Sequence, residues 1–371
     1  MTSISARTDR LARARKELGE RGVDALLLGP GADLSYLTGY QAPPLERLTL
    51  LVLPAAGDAR LVVPALEAPL ARDHLAGLDL EVTAWQETED PVVLVRASLG
   101  AVGAATGRLG VGDRLWSSFL LRLQAALPGA AFQVASTVTR QLRMRKDPEE
   151  VAALARVAAA IDRVVDGLDG LRWAGRTELE LAADIQAAIR EGHDEVCFAV
   201  VGAGPNGASP HHVASGRVIR PGDAVVVDIG GRLDGYCSDT TRTLAVGEPP
   251  AGFQEAYAVL HAAQLAGCAA VAPGVPAEAV DAACRQVIDA AGHGEHFIHR
   301  TGHGIGLEEH EDPYIVAGNP EPLEPGMTFS VEPGIYLPGR FGARIEDIVA
   351  CTDHGVRRLN TTSRDLRVVP A

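Results

Sequence analysis

Two aspartates in the second half of the chain stand where a metal site could form. Asp228 ends the apolar run Val225–Val227, which predicts a buried strand. A turn at Asp234-Gly235 separates this run from a second predicted strand, residues 236–244, that carries Asp239. If the two strands pair as a hairpin, the two carboxylates lie side by side, where they repel each other and lose solvation. We interpret the pair as half of a metal site, with an ordinary turn aspartate beside a strand-end aspartate as the alternative.

Four further stretches of the same half offer groups that such a site needs. His303 lies among glycines in residues 301–306, Glu332 ends a short apolar strand, and Glu346 lies inside another predicted strand; a second histidine, His211, lies upstream. Each alone has an ordinary interpretation, as a structural histidine, a turn or a solvated strand face. Together with the two aspartates, His303, Glu332 and Glu346 provide four carboxylates and one imidazole, a set that suits Mn²⁺, Co²⁺ or Zn²⁺. Carboxylates that bridge suit two such ions roughly 3.5–4 Å apart. Because two such ions activate a bridging water, we expect a hydrolase.

Composition limits the partners and the compartment. The 371 residues carry 34 Lys and Arg against 48 Asp and Glu, a net charge of −14, which argues against nucleic acid and anionic membranes as partners. The five cysteines are an odd number without a Cys-x-x-Cys, which is typical of a reduced cytoplasmic protein. The charged, helix-patterned N-terminus lacks the apolar core of a signal peptide, and no stretch approaches the roughly 18 apolar residues of a membrane span. We therefore expect a cytoplasmic protein.

The elements that must position these groups divide into two domains. Residues 1–145 alternate helices with strands, which predicts an α/β domain, and they contain neither a Gly-x-Gly-x-x-Gly nor a phosphate-binding lysine loop. A charged segment, 144–150, marks the boundary. Residues 146–371 hold all the candidate ligands. For them the pattern predicts helices over 152–168, from the capping box at 177–180 to 191, over 252–272 and over 277–291, with glycine- and proline-rich strands between and after them.

The sequence around the candidate ligands resembles the pita-bread metallopeptidases, in the branch that holds Xaa-Pro dipeptidase (prolidase) and aminopeptidase P. The resemblance covers essentially residues 146–371, and the layout of the first 145 residues resembles the N-terminal domain of the same branch. It implies an α/β creatinase-like N-terminal domain followed by an α+β pita-bread catalytic domain. The motifs that carry it are NGASPHH, VVVDIGG, SDTTRT, HRTGHGIGLEEHE, VEPGIY and ARIED.

The resemblance implies a role for each candidate ligand. Asp228 would bind one metal ion through both oxygens, and Asp239 and Glu346 would bridge two ions. His303 and Glu332 would bind the second ion. Glu332 would also accept the proton of the bridging water and pass it to the leaving proline nitrogen. Mn²⁺ is the metal that we expect first, with Co²⁺ and Zn²⁺ equally compatible with the ligands.

Residues outside the ligand set also match the family. His211 and His310 correspond to the two active-site histidines that stabilise the oxyanion and hold the substrate. His299, Tyr336 and Arg344 correspond to residues that shape the proline pocket or tie the site together. Two alternatives stay open here: Arg344 as the partner of a ligand carboxylate, and Tyr336 as a packed wall.

The expected activity is that of a metal-dependent Xaa-Pro dipeptidase. The alternative is an aminopeptidase P, which releases the first residue of longer Xaa-Pro peptides with the same metal site. Metal-free creatine hydrolysis and a non-catalytic pita-bread binding module are more remote, because both usually lack part of the ligand set. The resemblance further implies a homodimer. We expect no role for His212. For Arg47 two interpretations are open: a partner for the proline carboxylate of the substrate, or an exposed loop charge.

Overall fold

The computed structural model describes residues 3–371, which divide into two compact units, one up to Arg143 and one of Met144–Ala371. The helices that begin in the first unit are α1 (Ile4–Arg21), α2 (Ala32–Thr38), α3 (Ala68–Leu75), α4 (Pro91–Ala101), α5 (Ser117–Ala126) and α6 (Ser136–Met144). The strands of this unit are β1 (Ala25–Leu28), β2 (Leu50–Pro54), β3 (Ala59–Pro64), β4 (Leu80–Trp85), β5 (Arg108–Val111) and β6 (Ala131–Val134).

The first unit is a mixed sheet with helices between its strands. Its strand order is β4-β3-β2-β1-β5-β6, with β2 antiparallel to both β1 and β3 and the remaining neighbours parallel. The central strand β1 is buried along its whole length, as its uninterrupted run of alanine and leucine predicts for a strand covered on both faces. Helices α2 and α6 were not expected from the sequence.

The second unit combines longer helices with antiparallel sheets. Its helices are α7 (Pro148–Gly167), α8 (Glu178–Gly192), α9 (Phe253–Ala269) and α10 (Ala277–Ala290). Its strands are β7 (Glu195–Ala203), β8 (Ala224–Leu233), β9 (Tyr236–Cys237), β10 (Thr240–Val246), β11 (Gly302–Gly304), β12 (Glu311–Ile315), β13 (Thr328–Val331), β14 (Gly334–Leu337), β15 (Phe341–Arg344), β16 (Asp347–Thr352), β17 (Gly355–Arg358) and β18 (Arg367–Val369).

Two five-stranded sheets and a hairpin organise these strands. One sheet has the order β18-β10-β8-β7, with β9 paired to β8, and the other has the order β12-β11-β13-β16-β17. Strands β14 and β15 form a separate antiparallel hairpin. The predicted capping box that opens α8 is confirmed, because Thr177 accepts from the Glu180 N–H and Glu180 accepts from the Thr177 N–H. Among the described residues, no helix combines the length and the apolar character that crossing a bilayer requires.

Three ligand candidates lie in other local structures than the sequence predicted. Asp239 is not within a strand, because the predicted strand is broken where the Ser238 N–H donates back to the Gly231 carbonyl. His303 is the middle residue of β11 and not part of a loop. A Cβ on either flanking glycine would overlap backbone atoms of β12 or β13, so only glycine allows β11 to pair with these strands. Glu346 lies between β15 and β16, where its N–H donates to the Thr241 carbonyl.

Candidate metal centre and active site

Asp228 points away from the core because of its position in β8. Val225, Val227 and Ile229 pack into one hydrophobic cluster of the second unit. Successive side chains of a strand point to opposite faces, so Asp228 lies on the other face. Its register partner in β10 is Thr241, which places the hydroxyl of that threonine on the same face.

Five candidate ligands and one further histidine converge on this face. Ligand atoms within 4.8 Å of one another come from three overlapping groups. These groups are Asp228, Asp239 and Glu346; His303, Glu332 and Glu346; and Asp239, His303 and His310. The structure therefore brings together the whole predicted ligand set, and it adds the imidazole of His310 to one edge of the cluster.

Two carboxylates of the cluster each have one oxygen that lacks the partner a buried anion needs. Asp228 Oδ1 and Glu346 Oε1 are buried without a hydrogen-bond donor. Burial, together with the negative charges of its neighbours, raises the pKa of Asp239 well above its usual value, and the same causes raise the pKa of Glu346. A cation between these groups would remove both penalties. The arrangement therefore fits a divalent metal centre.

His303 presents a lone pair to the same space. Its Nδ1 lies 3.1 Å from the Gly304 carbonyl oxygen, so this nitrogen carries the proton and Nε2 is left without one. Nε2 lies 3.3 Å from Glu332 Oε1 and 3.6 Å from Asp239 Oδ2. Burial lowers the pKa of His303 to about 4, so the ring is neutral at physiological pH. A neutral imidazole whose second nitrogen is held by a carbonyl has the geometry of a metal ligand.

Arg344 connects the cluster to a row of polar groups. Its guanidinium donates to Asp228 Oδ2, to Thr241 Oγ1 at 3.0 Å and to Tyr336 Oη at 2.8 Å. Burial works against its charge, yet the surrounding anions raise the pKa of Arg344 well above its usual value. The structure thus shows Arg344 as the partner of a candidate ligand carboxylate, one of the two alternatives left open by the sequence.

Tyr336 and His299 continue this row. His299 Nδ1 lies 2.7 Å from the Arg300 carbonyl oxygen and so carries the proton, which leaves Nε2 to accept from the Tyr336 hydroxyl at 2.9 Å. Burial lowers the pKa of His299 and raises the pKa of Tyr336 to about 12, so both are neutral. Tyr336 is a buried side chain whose hydroxyl is fully engaged, in the manner of a packed wall.

The two predicted active-site histidines are exposed at the edge of the cluster. The ring of His310 lies 3.9 Å from that of His303, measured between centroids. Partial desolvation of the ring, followed by the repulsion that a second charge beside His303 would meet, lowers the pKa of His310 to about 4, and His211 adds to this effect. His211 follows the 3₁₀ turn 204–208, and the carbonyl oxygen of its neighbour Pro210 lies 3.5 Å from Arg344 Nη1.

Sequence analysis did not single out the residues that hold the ligands in place. Thr241 Oγ1 donates to Glu346 Oε2 at 2.8 Å, and Ser330 Oγ donates to Glu332 Oε1 at 3.1 Å while accepting from the His303 N–H. A period of two along the chain could have revealed both, since Thr241 stands two residues after Asp239 and Ser330 two before Glu332. Within a predicted strand, polar groups at this spacing share a face with the ligand.

A second layer of charge lies behind Glu346. The buried Asp347 pairs with Arg242 at 2.7 Å and Arg358 at 2.9 Å, and Arg364 lies 3.8 Å away. Arg242 also donates to the backbone carbonyl of Glu346. This cluster anchors the backbone that carries the ligand. In the first unit, Arg47 pairs with Glu67 at 2.7 Å and Glu87 at 3.3 Å, so the guanidinium already has two carboxylate partners.

Comparison with known proteins identifies the family of this chain. The model of metallopeptidase family M24 matches residues 150–353, and that of the creatinase/prolidase N-terminal domain matches residues 10–145. The chain belongs to metallopeptidase family M24. The predicted branch and fold class are confirmed: an α/β creatinase-like N-terminal domain and an α+β pita-bread catalytic domain.

Three relatives of this M24 chain are similar over nearly their whole length. The probable dipeptidase PepE of Mycobacterium tuberculosis is 50% identical over 97% of this chain and 96% of its own. The Xaa-Pro dipeptidase of Lactobacillus helveticus is 36% identical, over 97% of this chain and 99% of its own. The crystal structure of dipeptidase PepE from Mycobacterium ulcerans superposes with a TM-score of 0.94 at 47% identity and covers 100% of both chains.

Proposed function

We propose that this chain is a metal-dependent Xaa-Pro dipeptidase with a two-metal centre. One observation carries the proposal: four carboxylates and a neutral imidazole meet within a few ångströms, and two of the buried carboxylate oxygens have no donor. The family and the names of the relatives support the reaction class, and the Xaa-Pro dipeptidase at 36% identity supports the preference for proline.

The overlap of the three groups supports the proposed division of ligands. Among the carboxylates, Asp239 and Glu346 each belong to two groups and would bridge two ions, whereas Asp228 and Glu332 each belong to one and would bind a single ion. His303 also belongs to two groups, but its one free nitrogen can bind only one ion. His303 would bind on the side of Glu332, to which its Nε2 is closer. Divalent ions held in this way lower the pKa of water and polarise a carbonyl group.

The surrounding side chains offer a proton acceptor and an oxyanion donor for the proposed reaction. Burial raises the pKa of Glu332, which favours it as a proton acceptor that then protonates the leaving nitrogen. The imide nitrogen before proline carries no hydrogen, so it leaves as a secondary amine only after receiving this proton, which Glu332 would relay from the attacking water. His310, neutral at physiological pH, can donate an N–H to the developing oxyanion, and His211 would assist it. His299 and Tyr336 would line the proline side, with Arg344 holding Asp228.

Hydrolysis of a matched pair of substrates, Ala-Pro and Ala-Pro-Ala, tests the proposal. Metal-stripped protein refilled with Mn²⁺ should cleave Ala-Pro only, and parallel refilling with Co²⁺ and Zn²⁺ tests the choice of Mn²⁺. Cleavage of the tripeptide would favour aminopeptidase P with the same catalytic groups. Bound metal without cleavage of either peptide would contradict the proline specificity and return the non-catalytic module to consideration.

Substitution of a bridging ligand tests the metal centre itself. Asp239→Ala should abolish both metal binding, measured by elemental analysis, and hydrolysis, because it removes a carboxylate shared by two groups. The exposed Glu255 in the first turn of α9 provides the control, Glu255→Gln, which should keep both. Full activity in Asp239→Ala would contradict the assignment of the site.

The assembly and the compartment are also proposals. We propose a homodimer in the cytoplasm, on the strength of the family resemblance and the scattered free cysteines. Light scattering of the purified, metal-loaded protein tests the assembly, and a mass of one chain would contradict it.

A further inference from the structure

A buried glutamate outside the metal cluster holds the loop that carries His211. Glu178 is the first residue of α8, and its side chain is fully buried. The sequence presents it only as part of a helix-capping segment, whose box is formed by Thr177 and Glu180. Glu178 takes no part in that box, so its burial needs another explanation.

Five donors converge on the Glu178 carboxylate. Oε1 accepts from the Ala203 N–H at 2.8 Å and from Asn206 Nδ2 at 3.0 Å. Oε2 accepts from the Ser215 N–H at 2.9 Å, Ser215 Oγ at 2.6 Å and His212 Nε2 at 2.8 Å. These hydrogen bonds outweigh burial and lower the pKa of Glu178, so the group is an anion that accepts on both oxygens. All the donors lie between the end of β7 and residue 215.

The part of this loop around His211 is exposed. Its residues Pro205, Ser209, His211 and Val213 are exposed, and Val213 is exposed to 82%. Exposed segments without apolar contacts are mobile unless their polar groups are tied down. Backbone hydrogen bonds within the loop run from the Ser209 N–H to Asn206 and from the His212 N–H to Ser209. Side-chain hydrogen bonds connect the loop to the rest of the unit at the Glu178 cluster and, on the other side of His211, where Arg344 Nη1 approaches the Pro210 carbonyl oxygen.

His211 therefore stands between two tethered neighbours. Pro210 is tied to Arg344, which contacts the Asp228 carboxylate, and His212 is tied to Glu178. We propose that Glu178 is a positioning residue that acts through His212 and Ser215 to direct His211 toward the metal cluster. This role rests on the proposed function of His211 in the hydrolysis of Xaa-Pro substrates.

Glu178→Gln is a sharp test because the change is nearly isosteric. Oε1 faces the Ala203 N–H and the Asn206 amide, and Oε2 faces the Ser215 N–H, so the amide NH₂ of glutamine meets an N–H group whichever way it is turned. We expect kcat on Ala-Pro to fall by about 10²-fold, the scale of a misplacement of about 1 Å, with KM and the metal content nearly unchanged. The matched control is Glu180→Gln, which alters the capping box of the same helix turn and should leave kcat unchanged.

A second pair of variants separates positioning from folding. His212→Ala removes one tether and should lower kcat, whereas His212→Gln retains a side-chain N–H for Glu178 and should restore most of it. If Glu178→Gln does not fold, this pair carries the test. Equal kcat in His212→Ala and the unmodified chain would overturn the proposal.

Hydrogen exchange gives a readout that does not depend on activity. In the Mn²⁺-loaded full chain, peptides that contain the Ala203 and Ser215 amides should exchange faster in Glu178→Gln than in Glu180→Gln, because both amides donate to Glu178. The proposal would be overturned if these amides exchanged no faster in Glu178→Gln, or if they exchanged faster while the kcat of Glu178→Gln equalled that of the unmodified chain. If the unmodified, metal-loaded protein does not cleave Ala-Pro, the proposed function fails, and the exchange rates still decide whether Glu178 holds the loop.

Discussion

His303 and His310 lie side by side but differ in their surroundings. His303 is buried, with one nitrogen on a carbonyl and the other facing two carboxylates, whereas His310 is exposed. Both rings are neutral at physiological pH, since the pKa of each is lowered to about 4. His303 is thus suited to binding a metal ion, and His310 to contacting a substrate. The proximity of His310 to Asp239 and His303 makes this distinction worth testing.

His310→Ala should separate the two roles. We expect the variant to keep its metal content and to lose roughly 10²–10³-fold in kcat, the scale for one oxyanion donor. Elemental analysis and steady-state hydrolysis of Ala-Pro measure the two effects. His354→Ala, at an exposed histidine in the turn after β16, is the control and should change neither. Loss of metal from His310→Ala would show that His310 is itself a ligand.

At the scale of elements, the start of β16 fastens a candidate ligand to the core. Glu346 precedes this strand, and Asp347, its first residue, is fully buried among arginines. Asp347 Oδ1 pairs with Arg242, and Oδ2 pairs with Arg358 and accepts from Gln264 at 3.3 Å. Buried cations that share one anion depend on it, because each would otherwise be left uncompensated.

Asp347→Asn should therefore destabilise the second unit. Removing one partner of a buried ion pair costs about 3–5 kcal/mol, which we expect as a lower free energy of unfolding in urea for the metal-free protein. Asp353→Asn, at the exposed turn that ends the same strand, should leave this free energy nearly unchanged. A stability equal to that of the unmodified protein would mean that the arginines are compensated elsewhere.

At the scale of the whole molecule, the metal centre links stability to pH. In the metal-free chain the pKa of Glu346 is raised above its usual value of 4.5 by burial and by neighbouring carboxylates. The folded state thus binds a proton that the unfolded state releases first. The contribution of this group to stability is complete below pH 4.5 and is lost as pH rises toward its folded pKa. Metal ions reverse this penalty because they bind the anionic form.

The metal-free Glu346→Gln variant should expose this linkage. It removes a carboxyl group whose charge is unfavourable in the fold, so we expect its stability relative to the unmodified chain to increase as pH rises from about 4.5 toward neutrality. Urea unfolding of both metal-free proteins across this range measures the difference. A difference that stays constant or falls would contradict the raised pKa. With Mn²⁺ present, the unmodified protein should be the more stable of the two at neutral pH.

The sequence by itself determined the fold class, the family and the residues that converge. Apolar runs, glycines and capping boxes depend on local chemistry, so the helices of the second unit were predicted with bounds close to those observed. The candidate ligands could be chosen because Asp228 and Glu332 follow apolar strand residues, a pattern that is visible along the chain. The resemblance then joined motifs that are far apart in sequence.

Only the tertiary structure decided how the site is held together. The sequence pattern placed Asp239 and Glu346 within strands. In the structure Asp239 lies between β9 and β10, and Glu346 lies between β15 and β16. Such breaks depend on hydrogen bonds to distant residues, as between Glu346 and Thr241. For the same reason Glu178 was interpreted only as part of a capping segment, because its hydrogen-bond donors lie 25 to 37 positions further along the chain. A carboxylate is marked as a ligand or a tether by its surroundings, and these exist only in the folded chain.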